Sequence, residues 1–439
     1  MTRPFCLSRL SRVSRFKRNT LHVLPLAVGL VWAASSHAAS FALSEENGSG
    51  LGNAYAGAGA VAEDASTIWF NPAGMTYLPQ GNSLSLAATV LHRRLVFTDT
   101  GTNRVNPLIP LGDNGGNGAG TSVIPAGYWS YAVSPQWRVG LGVSVPFGNK
   151  TDWDDGFIGR YQGTLSDVKG INVNPSLAWK INDVVSLGFG ASWMKFDADL
   201  RNKVPIVAGF SYLGDAEVKL KGDDTAWTYN LGAMFQVSPK TRVGLSYRSR
   251  AKFRLEGTVQ VSSPFGTTSQ DANVSIKLPA TWSISTAHTL NDRWEMMGDL
   301  THTGWSSLPG LVVMNSAGTT LSDESLGYKG RWRVGLGTNY KLDERWKLRF
   351  GVAYDKTPVP DEAFRVVRLP DTNRTWVSVG ARWGITGNSS VDVGYAHIFF
   401  KDGSINRQTV IGGTPTAQFV VGDFKTSADL FALQYNASF

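Results

Sequence analysis

The chain has 439 residues, with 42 Lys and Arg against 34 Asp and Glu, a formal net charge of +8 and a single cysteine. Six of those basic residues and Cys6 fall within the first 18 positions. Without that segment the chain is nearly neutral, has no electrostatic signature of nucleic-acid binding and can form no internal disulfide. No later apolar run approaches the roughly 20 residues of a spanning helix, so a closed barrel is the one remaining way for this chain to cross a bilayer.

Arg3, Arg9, Arg12, Arg15, Lys17 and Arg18 precede an apolar run from Leu21 to Ala34 and the small-residue site Ser36-His37-Ala38. Basic, apolar and small residues in that order form an export signal cleaved after Ala38. Residues 1–38 are therefore expected as a signal peptide, 39–81 as a compact N-terminal plug and 82–439 as the barrel.

Residues 39–81 do not alternate; Gly48, Gly50, Gly52, Gly57 and Gly59 punctuate them, and Asn71-Pro72-Ala73-Gly74 follows. The stretch Gly57 to Ala62 superficially matches a dinucleotide-binding fingerprint, but no strand precedes it. From Ala39 to His92 there is no Lys or Arg, while Glu45, Glu46, Glu63 and Asp64 are present. An acidic plug inside a basic lumen is the expectation; an acidic periplasmic tail is the other reading.

From Ser83 onward the pattern has period 2. Trp346, Leu348, Phe350, Val352 and Tyr354 alternate with Lys347, Arg349, Gly351, Ala353 and Asp355, and Val139 to Val145, Val243 to Tyr247 and Val334 to Tyr340 repeat it. Period 2 over about 10 residues, with aromatics at segment ends, suits a membrane-spanning barrel strand. A soluble β-sandwich also alternates, but the Trp and Tyr borders at Trp137, Trp193, Trp346 and Trp383 suit a headgroup girdle.

Short turns fall at Ser134-Pro135-Gln136, Asn182-Asp183, Ser238-Pro239-Lys240, Asn291-Asp292, Asp343-Glu344 and Gly387-Asn388. Long polar loops are expected near 98–120, 148–164, 200–216, 256–270, 305–325, 357–372 and 402–421. Six short turns join twelve strands, and one more at each end makes an all-β, 14-stranded antiparallel transmembrane β-barrel. The inward faces so assigned carry Arg138, Arg242, Arg248, Arg333, Lys341, Lys347, Arg349 and Arg382, opposite in sign to the plug.

Two local departures stand out. Pro146, with Phe147 and Gly148, either ends the third strand or marks a gap in the wall, since proline lacks the N–H a closed sheet uses. In the fifth strand, alternation turns Met194, Phe196 and Leu200 inward near the outer mouth, which suits a greasy ligand rather than water.

These residues resemble the FadL/TodX-type family of outer-membrane long-chain fatty acid transporters. The resemblance rests on Gly50-Leu51-Gly52-Asn53-Ala54-Tyr55, Asn71-Pro72-Ala73, Tyr247-Arg248-Ser249, Leu278-Pro279 with Trp282, Gly351 to Asp355 with Pro358-Val359-Pro360, and Leu369-Pro370-Asp371 with Arg374 and Trp376. It implies a barrel with an N-terminal hatch, an extracellular groove, an apolar pocket touching the hatch N-terminus, and lateral release through a gap at a kinked third strand. On that basis Phe41 contacts ligand, and Asn71, Pro72 and Ala73 face the kink at Ser144, Pro146, Phe147 and Gly148. The basic residue that lines the family's pocket at the outer end of strand five falls nearest Arg201, although alternation points Leu200 inward instead, and a second family lysine, before strand ten, falls on or near Glu324, with Lys329 and Arg331 as displaced candidates.

The expected activity is passive uptake of hydrophobic molecules, long-chain fatty acids first, with aromatic hydrocarbons as the alternative and a general porin behind. No enzyme is expected, for no Gly-x-Ser-x-Gly elbow accompanies His92, His288, His302 and His397. The expected setting is the outer membrane of a Gram-negative bacterium, as a monomer without cofactor or metal. Its partners there are outer-membrane lipid and lipopolysaccharide, and the barrel-assembly machinery that reads the strand ending in Phe439.

Overall fold

The computed structural model describes residues 41–439; the expected signal peptide, 1–38, lies outside them. Among the described residues, fourteen antiparallel strands close on themselves. They are β1 (Asn82–Asp99), β2 (Thr121–Ala132), β3 (Trp137–Asp152), β4 (Leu165–Lys180), β5 (Val185–Ala208), β6 (Ser211–Ser238) and β7 (Thr241–Arg248 with Ala251–Ser263). Then follow β8 (Gly266–Leu278 with Thr281–Thr289), β9 (Trp294–Thr303 with Gly310–Asn315), β10 (Thr320–Ser325 with Arg331–Lys341), β11 (Trp346–Asp355), β12 (Arg374–Thr386), β13 (Ser389–Phe400 with Gly403–Ile411) and β14 (Thr414–Ser438). β1 pairs with both β2 and β14, and Phe439 exchanges backbone hydrogen bonds with Asn82, which seals the ring.

Alternation sets which way each side chain points. Phe350, Val352 and Tyr354 of β11 lie exposed on the outer surface, while Arg349, Gly351, Ala353 and Asp355 are buried. All six short turns are where the punctuation residues put them.

The long loops differ. The segments expected as loops at 200–216, 256–270, 305–325 and 402–421 continue the ladder as hairpins, with β5 and β6 paired out to Ala208↔Ser211 and β7 and β8 to Ser263↔Gly266. Beyond the lipid band neither face of a hairpin needs to be greasy, so the hydrophobic alternation disappears although the hydrogen bonds go on. Gly412 and Gly413, at φ +56° and +79°, make the two-residue turn between β13 and β14.

Residues 41–81 are a chain of short helical turns, Leu51–Asn53, Ala58–Val61, Thr67–Phe70 and Pro72–Tyr77, packed on inward-facing residues of the strands. Glycines let backbone meet backbone there. Gly337 and Gly351 face each other across β10 and β11, and a Cβ on Gly351 would sit 2.0 Å from the carbonyl carbon of Asn53. Asn53 Nδ2 donates to the Thr338 and Phe350 carbonyls at 3.1 and 3.2 Å. Asn71 repeats the device, donating to Gly59 and Ala233 carbonyls at 2.8 and 3.1 Å beside the cross-strand pair Gly188↔Gly232.

Charge holds the same surface. Glu63 meets Lys347, Arg349 and Arg382 at 2.8, 2.5 and 3.2 Å. Arg242 donates to the Ala60 and Val61 carbonyls, Arg248 to that of Trp69 and Arg333 to that of Ala54, so wall arginines take up carbonyls that the short turns leave free. Lys341 does not join them; it pairs with Glu344 at the turn.

Candidate ligand pocket and lateral opening

Past the last outward aromatics, β5 keeps turning apolar residues inward: Met194, Phe196, Ala198 and Leu200. Phe196 stacks on Phe253 of β7 at 5.3 Å, and Leu255, Val274 and Ile276 extend the surface across β7 and β8. Leu308, Leu326, Tyr328, Val366 and Leu369 cover it from the loops, and Phe41 forms its floor. The result is an apolar cavity of about 70 Å³. Each fully buried Leu or Phe here contributes about 1.5–3 kcal/mol, so the lining assembles by its own hydrophobicity.

Two charged groups reach this cavity. Arg368 donates through Nη1 to the Leu165 and Arg201 carbonyls, both at 2.8 Å, and its Nε lies 3.9 Å from Glu324 Oε2. Glu324 Oε1 lies 4.0 Å from Arg407. Arg368 Nη2 donates to Asn202 Oδ1 at 3.4 Å, so the long Nε contact to Glu324 is the one most easily exchanged for another acceptor.

Beneath Phe41 is a second cavity of about 180 Å³, lined in part by Leu43, Pro72, Pro146, Phe147, Arg248 and Arg331. Phe41 separates the two, its ring 6.0 Å from Phe147, 6.4 Å from Phe196 and 5.2 Å from Trp305.

The wall beside the lower cavity is interrupted. β2 and β3 pair only as far as Gly127↔Val143, although β2 stays paired with β1 out to Thr121 and β3 with β4 out to Asp152. The β3–β4 register slips between Ser144 and Phe147, around Pro146. The N-terminal residues take the place β2 leaves: Leu43 N–H donates to the Pro146 carbonyl and Gly148 N–H to that of Phe41, both at 2.9 Å, with Ala42 bridged to Phe147. Leu43 packs with Ile124 and Val145 across the interruption.

Just beyond, Glu45 and Glu46 are buried, and burial pushes their carboxyls up to about 7 and about 8. The Tyr128 hydroxyl donates to the Glu46 carbonyl at 2.8 Å.

The residues singled out in the sequence divide. Phe41, Phe196 and Leu200 line the upper cavity, and Met194 is buried in the same cluster without reaching the cavity. Arg201 does not reach it: alternation turns it to the outer surface, where it pairs with Asp199 at 3.1 Å. Lys329 is exposed while its neighbour Tyr328 points inward, and Arg331 lines the lower cavity, its Nε donating to the Thr357 carbonyl. Ser144, Pro146, Phe147 and Gly148 border the interruption. Pro72 shares the lower cavity with Pro146, but Asn71 and Ala73 are committed to β5, β6 and β7 rather than to the kink. Arg368 was missed; its signal was a cation in the apolar loop stretch Val366-Val367-Arg368-Leu369.

Residues 29–439 match the family model described as outer membrane protein transport protein (OMPP1/FadL/TodX). The chain belongs to that outer-membrane transport family. It is 30% identical to a 47 kDa outer membrane protein of Pasteurella multocida, over 98% of this chain and all of that one. It is 28% identical to a long-chain fatty acid transport protein of Salmonella typhi, over 88% and 93% of the two chains. The fold matches the crystal structure of a Pseudomonas aeruginosa FadL homologue with a TM-score of 0.84 at 23% identity, covering 91% of this chain and all of that one. This is an outer-membrane β-barrel of a family that transports hydrophobic molecules.

Proposed function

We propose that the protein takes up long-chain fatty acids passively. The ligand enters the apolar cavity from outside, passes Phe41 into the lower cavity and leaves sideways between β2 and β3. Residues 1–38 act as the export signal, 39–81 as the hatch, and the mature chain works as a monomer delivered by barrel-assembly machinery. The observation that carries this reading is the place of residues 41–43, which both separate the two cavities and pair with the edge that β3 leaves open. The name of the Salmonella typhi relative supports the acyl ligand, as does Arg368 at the rim of an otherwise apolar cavity. Glu324 beside Arg368 favours the second reading, an uncharged aromatic hydrocarbon on the same route.

Ala42 and Phe147 form a non-hydrogen-bonded antiparallel pair, the geometry in which side chains come closest. A double variant A42C/F147C, oxidised to a disulfide, holds the N-terminal arm on β3. Uptake of labelled oleate into cells should fall at least about tenfold on oxidation and return with reductant, that factor corresponding to 1.4 kcal/mol. Equal uptake by the oxidised and reduced proteins would remove the arm from the route.

A further inference from the structure

The outer face of β7 and β8 carries four cations that the transport route does not use. Arg250 lies in the break between the two halves of β7, and Lys252, Arg254 and Lys277 are exposed on the outer surface. Their neighbours Ala251, Phe253, Leu255 and Ile276 point into the lumen. Lys252 and Lys277 stand directly opposite each other in the ladder, an arrangement that like charges make unfavourable.

Acidic partners do not explain them. On the adjoining β5–β6 hairpin most cations are matched: Lys195 by Asp197 and Asp223, Arg201 and Lys221 by Asp199, and Lys203 by Asp155. Among the described residues the side chains of Arg250, Lys252, Arg254 and Lys277 make no ion pair, although Glu256 follows two residues after Arg254 and Asp224 accepts the Arg254 backbone N–H.

Height supplies the second observation. Beside the four cations the outer surface presents Trp227, and immediately below them Tyr229, Tyr247 and Trp282, with the two tyrosine rings 6.0 Å apart. Outward aromatics mark the headgroup level, and the extended hairpins identify this end as extracellular. The four cations therefore sit at the depth of the outer-leaflet headgroups.

We propose that Arg250, Lys252, Arg254 and Lys277 form a binding site for the phosphates of lipid A, the phosphorylated saccharide lipid of the outer leaflet. Paired lysines flanked by two guanidinium groups offer several donors to phosphate oxygens and remove the repulsion that sets Lys252 against Lys277.

The test uses the full mature protein, refolded in detergent and titrated with bis-phosphoryl and with dephosphorylated lipid A. The unsubstituted protein should bind the phosphorylated form at least about tenfold more tightly, and R250Q/K252Q/R254Q/K277Q should bind both alike, each cation near a membrane surface being worth about 1 kcal/mol. K277E alone, at an exposed strand position, should lose most of the preference and serves if the quadruple variant fails to show a folded, heat-modifiable band. Equal binding of the two lipids by the unsubstituted protein, or an undiminished preference in the folded variants, overturns the proposal. Displacement of lipid A by millimolar inorganic phosphate would make the patch a general anion site and overturn the lipid assignment.

Discussion

Phe41 and Phe147 are joined twice: their rings stand 6.0 Å apart, and the Phe41 carbonyl accepts the N–H of Gly148, the residue after Phe147. One side chain on the arm and one on the kink thus move together or not at all. Phe41→Ala removes the ring between the cavities while leaving those backbone bonds. Affinity for a fatty acid, measured by tryptophan quenching, should fall about tenfold or more, because aromatic truncation at a packed contact costs about 3–5 kcal/mol in part recovered by collapse. Unchanged affinity would place the ligand elsewhere.

Arg368 separates the two ligand classes. Arg368→Gln should weaken oleate binding by about tenfold, the scale of one charge-assisted hydrogen bond, and leave toluene unaffected. Glu324→Gln should act in the opposite sense for oleate by freeing the Arg368 Nε. Parallel losses for both ligands in Arg368→Gln would mean that this arginine only holds the loop.

Pro146 tests the route. Deleting it restores the β3–β4 register that slips between Ser144 and Phe147 and should close the interruption, abolishing uptake while binding persists. Gly148→Val adds bulk at the same edge. Normal uptake in both would argue for an exit other than the wall.

Gly351→Val tests how the N-terminal segment is seated, since the new side chain would start 2.0 Å from the Asn53 carbonyl carbon. Overpacking of this kind costs about 1–3 kcal/mol or more. Hydrogen exchange of residues 48–60 should quicken while β11 amides stay protected. Protection equal to the unsubstituted chain would show that the wall can yield there.

Acidity gives a signed prediction. Glu46 rises from an ordinary 4.5 to about 8 when buried, and Glu45 to about 7. The docked segment therefore holds protons that a released one would lose, so docking is strongest below about 4.5 and weakens as pH climbs toward 8. Exchange of amides 41–46, corrected for intrinsic rate, should increase between pH 5 and 8 in proportion, and Glu45→Gln with Glu46→Gln should flatten the profile. A profile unaltered by the double substitution would trace the effect to other groups.

What could be read in advance follows from where two environments differ. Within the lipid band, the two faces of Trp346–Asp355 meet lipid and lumen, so their chemistry alternates and the strand is visible. Above the band, Tyr212 and Leu213 of β6 stand side by side between Ser211 and Gly214 without alternation, so the hairpin there reads as a loop in the sequence. Glu63 could be matched to a basic wall by sign alone, but not to Lys347, Arg349 and Arg382 individually. The resemblance brings Arg201 nearest a pocket residue, whereas the pleat sends it outward and leaves the cavity lining to Leu200 and, from a distant loop, to Arg368.

The borrowed strand at the kink has an energetic corollary. When residues 41–43 leave β3, the Pro146 carbonyl and the Gly148 N–H lose their partners beside hydrocarbon, at about 1–3 kcal/mol for each group left bare. On the proposed route, the methylenes of a departing acyl chain would offer them neither donor nor acceptor. The opening on that proposed route would thus be a high-energy state that cargo passes through but cannot hold, and the doorway would return to closed once the molecule is through, without any energy source beyond the bonds it restores.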